Sequence, residues 1–456
     1  MRIDHHDTIV APITPPGEGG VGIVRLSGSQ AEELLRRLFR PHRPVAHFTS
    51  HRLYYGTAVG AGGEALDEIL AVVMRAPRSY TREDVAELHC HGGPLVLRRI
   101  LDGCMAAGAR LARPGEFTLR AFLNGRLDLA QAEGVIDLIR ARSEDAGRLA
   151  LQQVQGRLSR SLLEFRVGLV DLLALVEAHI DFPEEELQLP VSSRLHSQAE
   201  GILARMDALL ATFDAGRVLR EGIAILLLGR PNVGKSSLLN ALLDEDRAIV
   251  TSIPGTTRDT IEEKLVIGGL AVRLIDTAGI RATHDPIEIE GVRRAREKVL
   301  SADLVLLVVD GSGPMEEDDL LALAACAEAP TLVVINKADL DEAPLSGTFQ
   351  GLPQVRVSAR TGGGVDALRS RIVSHFQQPS AEAREDFLLN DRRHRQALLR
   401  SREALASFIQ GSEAGEAMEL LAIELREALD GLGEITGETT PDQVLDQIFS
   451  RFCIGK

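Results

Sequence analysis

The stretch GRPNVGKSS, Gly229 to Ser237, follows the apolar run IAILLL (223–228) and opens a segment with helical spacing. A glycine-rich turn between a buried strand and a helix, ending in Gly-Lys-Ser, is a phosphate-binding loop. Gly229 and Gly234 let the backbone N–H groups of a turn that includes Asn232 and Val233 face phosphate oxygens. Lys235 reaches the β- and γ-phosphates, Ser236 offers its hydroxyl to Mg2+, and Ser237 continues into the helix. A chance turn is the competing reading, and the strand before it and the helix after it weigh against that.

Around this loop, AVRLID, DLVLLVVD and TLVVIN are near-continuous apolar runs separated by helical segments. Strands buried on both faces read this way, so residues 218–378 are expected to form a doubly wound α/β domain. DTAG (Asp276, Thr277, Ala278, Gly279) ends one run; Asp276 can hold the Mg2+ shell and the Gly279 N–H can reach a γ-phosphate. NKAD (Asn336, Lys337, Ala338, Asp339) ends another. Asp339 can accept from both N–H groups of guanine, Asn336 supports the ring and Lys337 packs over it. SAR (Ser358, Ala359, Arg360) places an N–H near the guanine oxygen. In TSIPGTT (Thr251, Ser252, Ile253, Pro254, Gly255, Thr256, Thr257), Thr257 is the candidate second Mg2+ ligand of a switch segment. In their order and spacing these stretches resemble a GTPase of the translation-factor-related class, and NKAD opposes an ATPase. The position after DTAG is Ile280, which cannot orient water, so Glu288 in HDPIEIEG becomes a candidate, with helix capping as its bland alternative. With no arginine finger to assign, a cation could neutralise transition-state charge, and the side-chain oxygen of Asn232 makes K+ a suspect.

The remaining chain is organised differently. Residues 7–120 mix short strand-like runs such as GIVRL and EILAVVM with Gly/Pro turns, as in an α+β domain. From Leu151 through Leu158, Leu162, Phe165, Leu169, Leu172 and Val176 to Ile180, apolar residues recur every three or four positions, which predicts one long helix ended by IDFPEEE. Helical spacing returns after residue 379. The expected fold is thus an α/β P-loop GTPase domain inserted into an α-helical domain (121–217 and 379–456), preceded by an α+β N-terminal domain (1–120).

Composition sets limits on function. Four widely spaced cysteines without a CxxC pair argue against a disulfide framework or zinc site and for a reducing compartment, the cytoplasm. No apolar run is long enough to span a bilayer, and MRIDHHDTIV lacks the features of a signal peptide. The formal net charge of −15 repels polyanions globally, so a nucleic acid would need a local basic run, such as Asp391–Arg402 or Arg36–Arg43. HCHGG (His89–Gly93) has no second ligand cluster to make a metal site and reads as a turn.

The stretches DTIVAPITPPGEGGVGIVRLSG, EDVAELHCHGGP, ARPGEFTLRAFLNGRLDLAQAEGVIDLI, IDFPEEE and GEITGETTPDQVLDQIFSRFCIGK, together with the phosphate loop, resemble the MnmE (TrmE) family of tRNA-modification GTPases. The resemblance covers all three regions and implies several things. A FAD-dependent partner, MnmG (GidA), takes part in modifying C5 of the wobble uridine of tRNA, with a one-carbon unit from a tetrahydrofolate derivative (5,10-methylene or 5-formyl). The N-terminal domain binds folate and forms a homodimer, and the G domains pair transiently with K+ and GTP. Carried onto this chain, Asn232, Thr251, Ile253 and Thr256 match the K+ site. Ser236 and Thr257 match the Mg2+ ligands, and Glu288 matches the residue that orients water. Arg281 matches a switch arginine. Arg25, Glu87, Arg126 and Lys456 match the folate-binding positions, Arg126 replacing a lysine with a planar fork. Glu18 stands where an arginine is common, and the HCHGG turn would border the folate site. The tail RFCIGK would reach the folate pocket, making Cys453 either a nucleophile or proton carrier beside the one-carbon chemistry or a small packing residue. A ribosome-assembly GTPase acting as a binding switch is the main alternative; an acidic helical segment stands where such proteins often carry an RNA-binding module.

Overall fold

The computed structural model describes residues 7–60, 62–181, 190–243, 262–276, 299, 302–341, 343, 349–376 and 388–456. The chain divides into two compact units, one made of Met1–Ile136, Gln153–Ile202 and Ala397–Lys456, the other of Asp137–Gln152 and Leu203–Gln396.

The first unit is built on a seven-stranded sheet: β1 (Ile9–Pro12), β2 (Gly19–Ser27), β3 (Phe39–Pro41), β4 (Tyr54–Val59), β5 (Ala65–Met74), β6 (Val85–Gly92) and β7 (Arg110–Leu111). Their spatial order is β3-β4-β5-β6-β2-β1-β7, antiparallel except for the β1–β7 pair. Side chains alternate across the sheet, and Val24, Leu26, Val73, Ala86 and Leu88 are buried in one core with Leu34 and Leu35 of helix Ala31–Leu38 and Ile100 of helix Pro94–Ala106. HCHGG is therefore strand rather than turn through Gly92. His89 and His91 project from β6, and among the described residues no group of His, Cys, Asp and Glu could hold a metal ion.

The single long helix expected from Leu151 onward is two helices. Glu144–Val154 ends, Gly156 adopts φ +75°, and Arg157–Asp181 begins anew. A left-handed residue cannot continue a helix, and glycine adopts that conformation without the Cβ clash. Leu151 falls on the exposed side of the first helix, while Leu158, Leu162, Phe165, Leu169, Leu172 and Val176 form the buried stripe of the second. That second helix packs along Met418–Thr436. Gly431 admits the neighbouring helix Arg392–Ala414: a Cβ there would lie 3.0 Å from Ala397 O.

The second unit carries a six-stranded sheet: β8 (Ile223–Leu228), β9 (Glu262–Ile267), β10 (Leu270–Asp276), β11 (Leu304–Asp310), β12 (Thr331–Asn336) and β13 (Gln354–Arg356). The order is β13-β12-β11-β8-β10-β9, parallel except for the β9–β10 hairpin. All residues of β8 and β12 are buried, as the apolar runs require. In sequence this α/β domain lies between helical segments, so it is inserted into the helical domain. Among the described residues no helix is long and apolar enough to cross a membrane.

A buried cation organises the end of the N-terminal domain. Arg120, 1% exposed, pairs with Asp7, with Glu83 at 3.2 Å and with Glu116 at 3.3 Å, and Arg110 also pairs with Asp7 and Glu116. Burial disfavours the Asp7 and Glu116 anions, yet hydrogen bonds from Arg110 to both, from Arg120 to Asp7 and from the Arg113 N–H to Glu116 hold both carboxyls below their ordinary range. Arg120→Met should cost about 3 kcal/mol by removing the buried cation shared by Asp7, Glu83 and Glu116, with Arg110 still pairing Asp7 and Glu116. The native network contributes stability that is fully present above the ordinary carboxylate range and is lost as pH falls below about 5. Thermal melts should therefore show a lower midpoint for the variant at neutral pH and a gap from the native chain that narrows on acidification.

Candidate functional site

The parallel strands of the second unit end together and present their loops on one side, where ligands bind in sheets of this kind. Asp310 at the end of β11 lies opposite Asn336 at the end of β12, and Leu228 of β8 lies opposite Leu307 of β11. The phosphate loop leaves β8 with Gly229 at φ +151°, Asn232 at φ +65° and Gly234 at φ +96°. Val233 is buried beneath it, and Ser236 and Ser237 stand exposed in the first turn of helix Lys235–Leu243. Lys235 Nζ donates to Gly229 O at 2.7 Å and to Arg230 O at 2.9 Å, which folds the ammonium over the loop where phosphate oxygens would meet it. Arg230 pairs in turn with Glu316 at 2.8 Å and Asp319 at 3.2 Å, fastening the loop to the start of helix Glu317–Ala325.

The base-side residues are fixed by bonds among themselves. The Asn336 side chain is buried; its Nδ2 donates to Val233 O at 2.8 Å and its Oδ1 accepts from Ala359 N at 3.0 Å. Asn336 thus braces the phosphate loop against the SAR loop. Ser358 Oγ donates to Asp339 Oδ1 at 2.6 Å, which holds the exposed Asp339 carboxyl below its usual range and leaves Oδ2 facing outward. Lys337 extends from a left-handed backbone position, φ +64°. Ala338 N donates to Val357 O at 3.1 Å, and Arg360 is exposed beside Ala359. Asp276 ends β10 opposite Leu227. Thr251, Ser252, Ile253, Pro254, Gly255, Thr256, Thr257, Thr277, Ala278, Gly279, Arg281 and Glu288 lie outside the described residues.

A second cluster forms in the first unit. The β2–β6 register sets Arg25 opposite Glu87, and Arg25 Nε donates to Glu87 Oε1 at 2.8 Å. The other Glu87 oxygen lies 3.0 Å from His89 Nε2. Burial opposes the Glu87 charge, but the hydrogen bond to His89 and the Arg25 cation hold its carboxyl below the ordinary range. The Arg25 guanidinium sits 5.2 Å from the centre of the Tyr80 ring and 5.8 Å from that of Phe117. The Arg126 guanidinium lies 4.7 Å from the same Tyr80 ring and donates to Tyr80 O at 2.6 Å.

The chain end docks here. Phe117 N donates to Lys456 O at 3.2 Å and Gly115 N to Cys453 O at 3.4 Å, so the tail caps helix Glu116–Leu123. Gly455, at φ +98°, passes so close to Pro12 that a Cβ would meet its carbonyl oxygen at 2.1 Å. Burial and the nearby Arg25 cation lower the Lys456 ammonium pKa, against Cys453 and Glu87. Arg25, Glu87 and Lys456 therefore share one field, with Arg126 on the same tyrosine. The Cys453 side chain is exposed, which sets aside the reading of a buried packing residue. Tyr80 and Phe117 were not singled out from sequence; Tyr80, one of three tyrosines in a chain poor in aromatics, was the available signal.

The basic runs are partly engaged within the fold. Arg36 pairs with Glu32 at 2.9 Å, Arg37 with Glu33, and Arg400 with Glu434, and Arg395 lies 4.9 Å over the Phe213 ring. His394, inside the second run, is fully buried.

A parallel α/β sheet, a phosphate loop opening a helix, and the Asn336–Lys337–Asp339 group beside the Ser358 loop define a guanine-nucleotide hydrolase of the P-loop class. Comparison with known proteins narrows this. The profile of the GTP-binding protein TrmE N-terminus matches residues 8–126, and that of the MnmE helical domain matches residues 129–453. The tRNA modification GTPase MnmE of Syntrophotalea carbinolica is 60% identical over 452 residues, covering 99% of each chain. Those of Geobacter sulfurreducens and Geobacter metallireducens are 54% and 52% identical over 453 residues, again covering 99% of each chain. The chain belongs to the MnmE family of tRNA modification GTPases, and its reaction is the hydrolysis of GTP to GDP and phosphate.

Asp339→Asn should lose a charge-assisted contact to guanine of about 1.5–3 kcal/mol. GTP affinity should fall about tenfold or more and xanthosine triphosphate should gain in its place; titrations showing unchanged GTP affinity would contradict the placement.

Proposed function

We propose that this chain is the GTP-hydrolysing component of an enzyme that adds an aminomethyl or carboxymethylaminomethyl group to C5 of a tRNA wobble uridine. The one-carbon unit comes from 5,10-methylene- or 5-formyltetrahydrofolate, and the FAD-dependent MnmG (GidA) is the partner. Family membership supports the tRNA role. The observation that carries the folate reading is the docking of Cys453–Lys456 beside Arg25 and Glu87, more than 300 residues away in sequence. Arg25, Arg126 and Lys456 offer cations for an anionic tail, Glu87 offers a carboxylate for the amino and N–H edge of a pterin, and Tyr80 and Phe117 offer ring faces. The exposed Cys453 thiol stands at the rim as a nucleophile or proton carrier.

In the G domain, the exposed Ser236 hydroxyl at a helix start fits a Mg2+ ligand, since Mg2+ at such sites takes few protein oxygens beside phosphate and water; Thr257 would be the second. When bound, Mg2+ supplies charge neutralisation at the phosphates. Asn232, exposed on a left-handed turn of the loop, fits one ligand of K+, with Thr251, Ile253 and Thr256 as the others. Lys235 exchanges its two loop carbonyls for phosphate oxygens. Glu288 orients the attacking water, Ile280 being unable to do so. The domains are 1–120 for folate and homodimerisation, 121–217 with 379–456 as the helical domain, and 218–378 as the G domain, which pairs transiently across GTP. The protein acts in the cytoplasm.

Reconstitution with unmodified tRNA, MnmG, GTP, K+ and 5,10-methylenetetrahydrofolate should give the modified uridine by mass spectrometry of digested nucleosides. Omitting GTP, the folate or this chain should each abolish it; product formed without this chain would overturn the reading.

A further inference from the structure

Lys337 does not hang free at the base side of the nucleotide site. Its Nζ lies 2.6 Å from Oδ2 of Asp310, the last residue of β11. The other Asp310 oxygen accepts from Ser312 N at 3.0 Å and from Ser312 Oγ at 2.6 Å. The carboxylate is thus held from both sides. Burial opposes its charge, but the bonds from Lys337 and Ser312 win and hold its pKa down to about 2, so it stays ionised across the working range.

The topology makes this contact. Parallel pairing sets Asp310 opposite Asn336, and Gly311 N donates to Asn336 O at 2.8 Å, so the turn after β11 closes against the turn after β12. Lys337, the next residue, turns through φ +64° and returns its ammonium to the end of β11. Asn336 and Asp339 are fixed by partners within the phosphate loop and the SAR loop; the anchor of Lys337 lies outside every nucleotide motif of the sequence.

We propose that Asp310 is a positioning residue for guanine: by holding the Lys337 ammonium it sets the lysine stem as a shelf for the face of the base. A lysine stem has several rotors whose freedom is lost when it covers a ligand. An ion pair formed beforehand removes that freedom before the nucleotide arrives, which strengthens binding by preorganisation. The effect is on nucleotide affinity and residence, since the shelf touches the base and not the bond that is cleaved.

The test is Asp310→Asn in the full-length chain. Asparagine keeps an acceptor for Ser312 and removes the charge facing Lys337. The KM for GTP should rise about tenfold and a fluorescent GDP analogue should dissociate faster by a similar factor, as expected for one charge-assisted contact, while kcat changes by less than about twofold. Lys337→Met keeps the stem and deletes the ammonium; it should reproduce the loss, and the double variant should be no worse than either single one. A normal KM and GDP release in Asp310→Asn, additive losses in the double variant, or a fall in kcat with unchanged KM would each overturn the proposal. Should Asp310→Asn fail to fold, Lys337→Met decides alone: a raised KM supports the shelf and an unchanged KM overturns it.

Discussion

The side-chain amide of Asn336 donates to Val233 O and accepts from Ala359 N. These two bonds join three loops that come from different strands: the phosphate loop after β8, the NKAD turn after β12 and the SAR loop after β13. A buried amide left without either partner would carry a desolvation penalty of about 1–3 kcal/mol, so the loops are held in one arrangement. The parallel register brings β11 and β12 to a level end at Asp310 and Asn336 and stops β8 three residues short, opposite Leu307, so that the phosphate loop begins beside the last residues of those strands. The nucleotide site is therefore a property of the sheet, and its chemistry is set at the carboxyl ends of strands whose interiors are wholly apolar.

The N-terminal unit reaches a comparable result by different means. Its site is assembled by antiparallel register, which sets Arg25 against Glu87, and by a chain end that returns to cap helix Glu116–Leu123. The tail lies flat because Gly455 accepts a left-handed backbone pressed onto Pro12. The ion network joins Glu116 and Arg120 of the same helix to Arg110 of β7, Asp7 before β1 and Glu83 before β6, so the tail, the helix and the sheet edge are held as one piece. An ammonium at Lys456 gains chemical meaning once it is fixed within the field of the Glu87 carboxylate, the Arg25 guanidinium and Cys453.

Where local pattern decided structure, the sequence was readable. Four apolar runs became the β8, β10, β11 and β12 strands. The failures share one cause, which is that partner choice is long-range. Apolar residues from Leu151 to Ile180 keep helical spacing across Gly156 although Leu151 is exposed and Leu158 onward are buried, and the backbone at Gly156 reveals the break. HCHGG carries turn-like residues but pairs with β2 and β5 as a strand, since its alternation suits a sheet with one buried face. In the basic run from Asp391, Arg400 meets Glu434 and Arg395 the Phe213 ring, residues that no spacing rule brings near. Tyr80 joins the Arg25–Glu87 cluster without any motif of its own, because its place beside Arg25 and Arg126 comes from the fold.

The claim that joins these observations is that the last residues of the chain complete a folate site built on β2 and β6. Calorimetric titration of 5-formyltetrahydrofolate into the intact protein, and into a chain lacking Cys453–Lys456, tests it most directly. The account predicts saturable binding to the intact chain and binding weaker by about tenfold or more after truncation, as loss of a charged contact implies. Equal binding by both chains, or none by either, would contradict it.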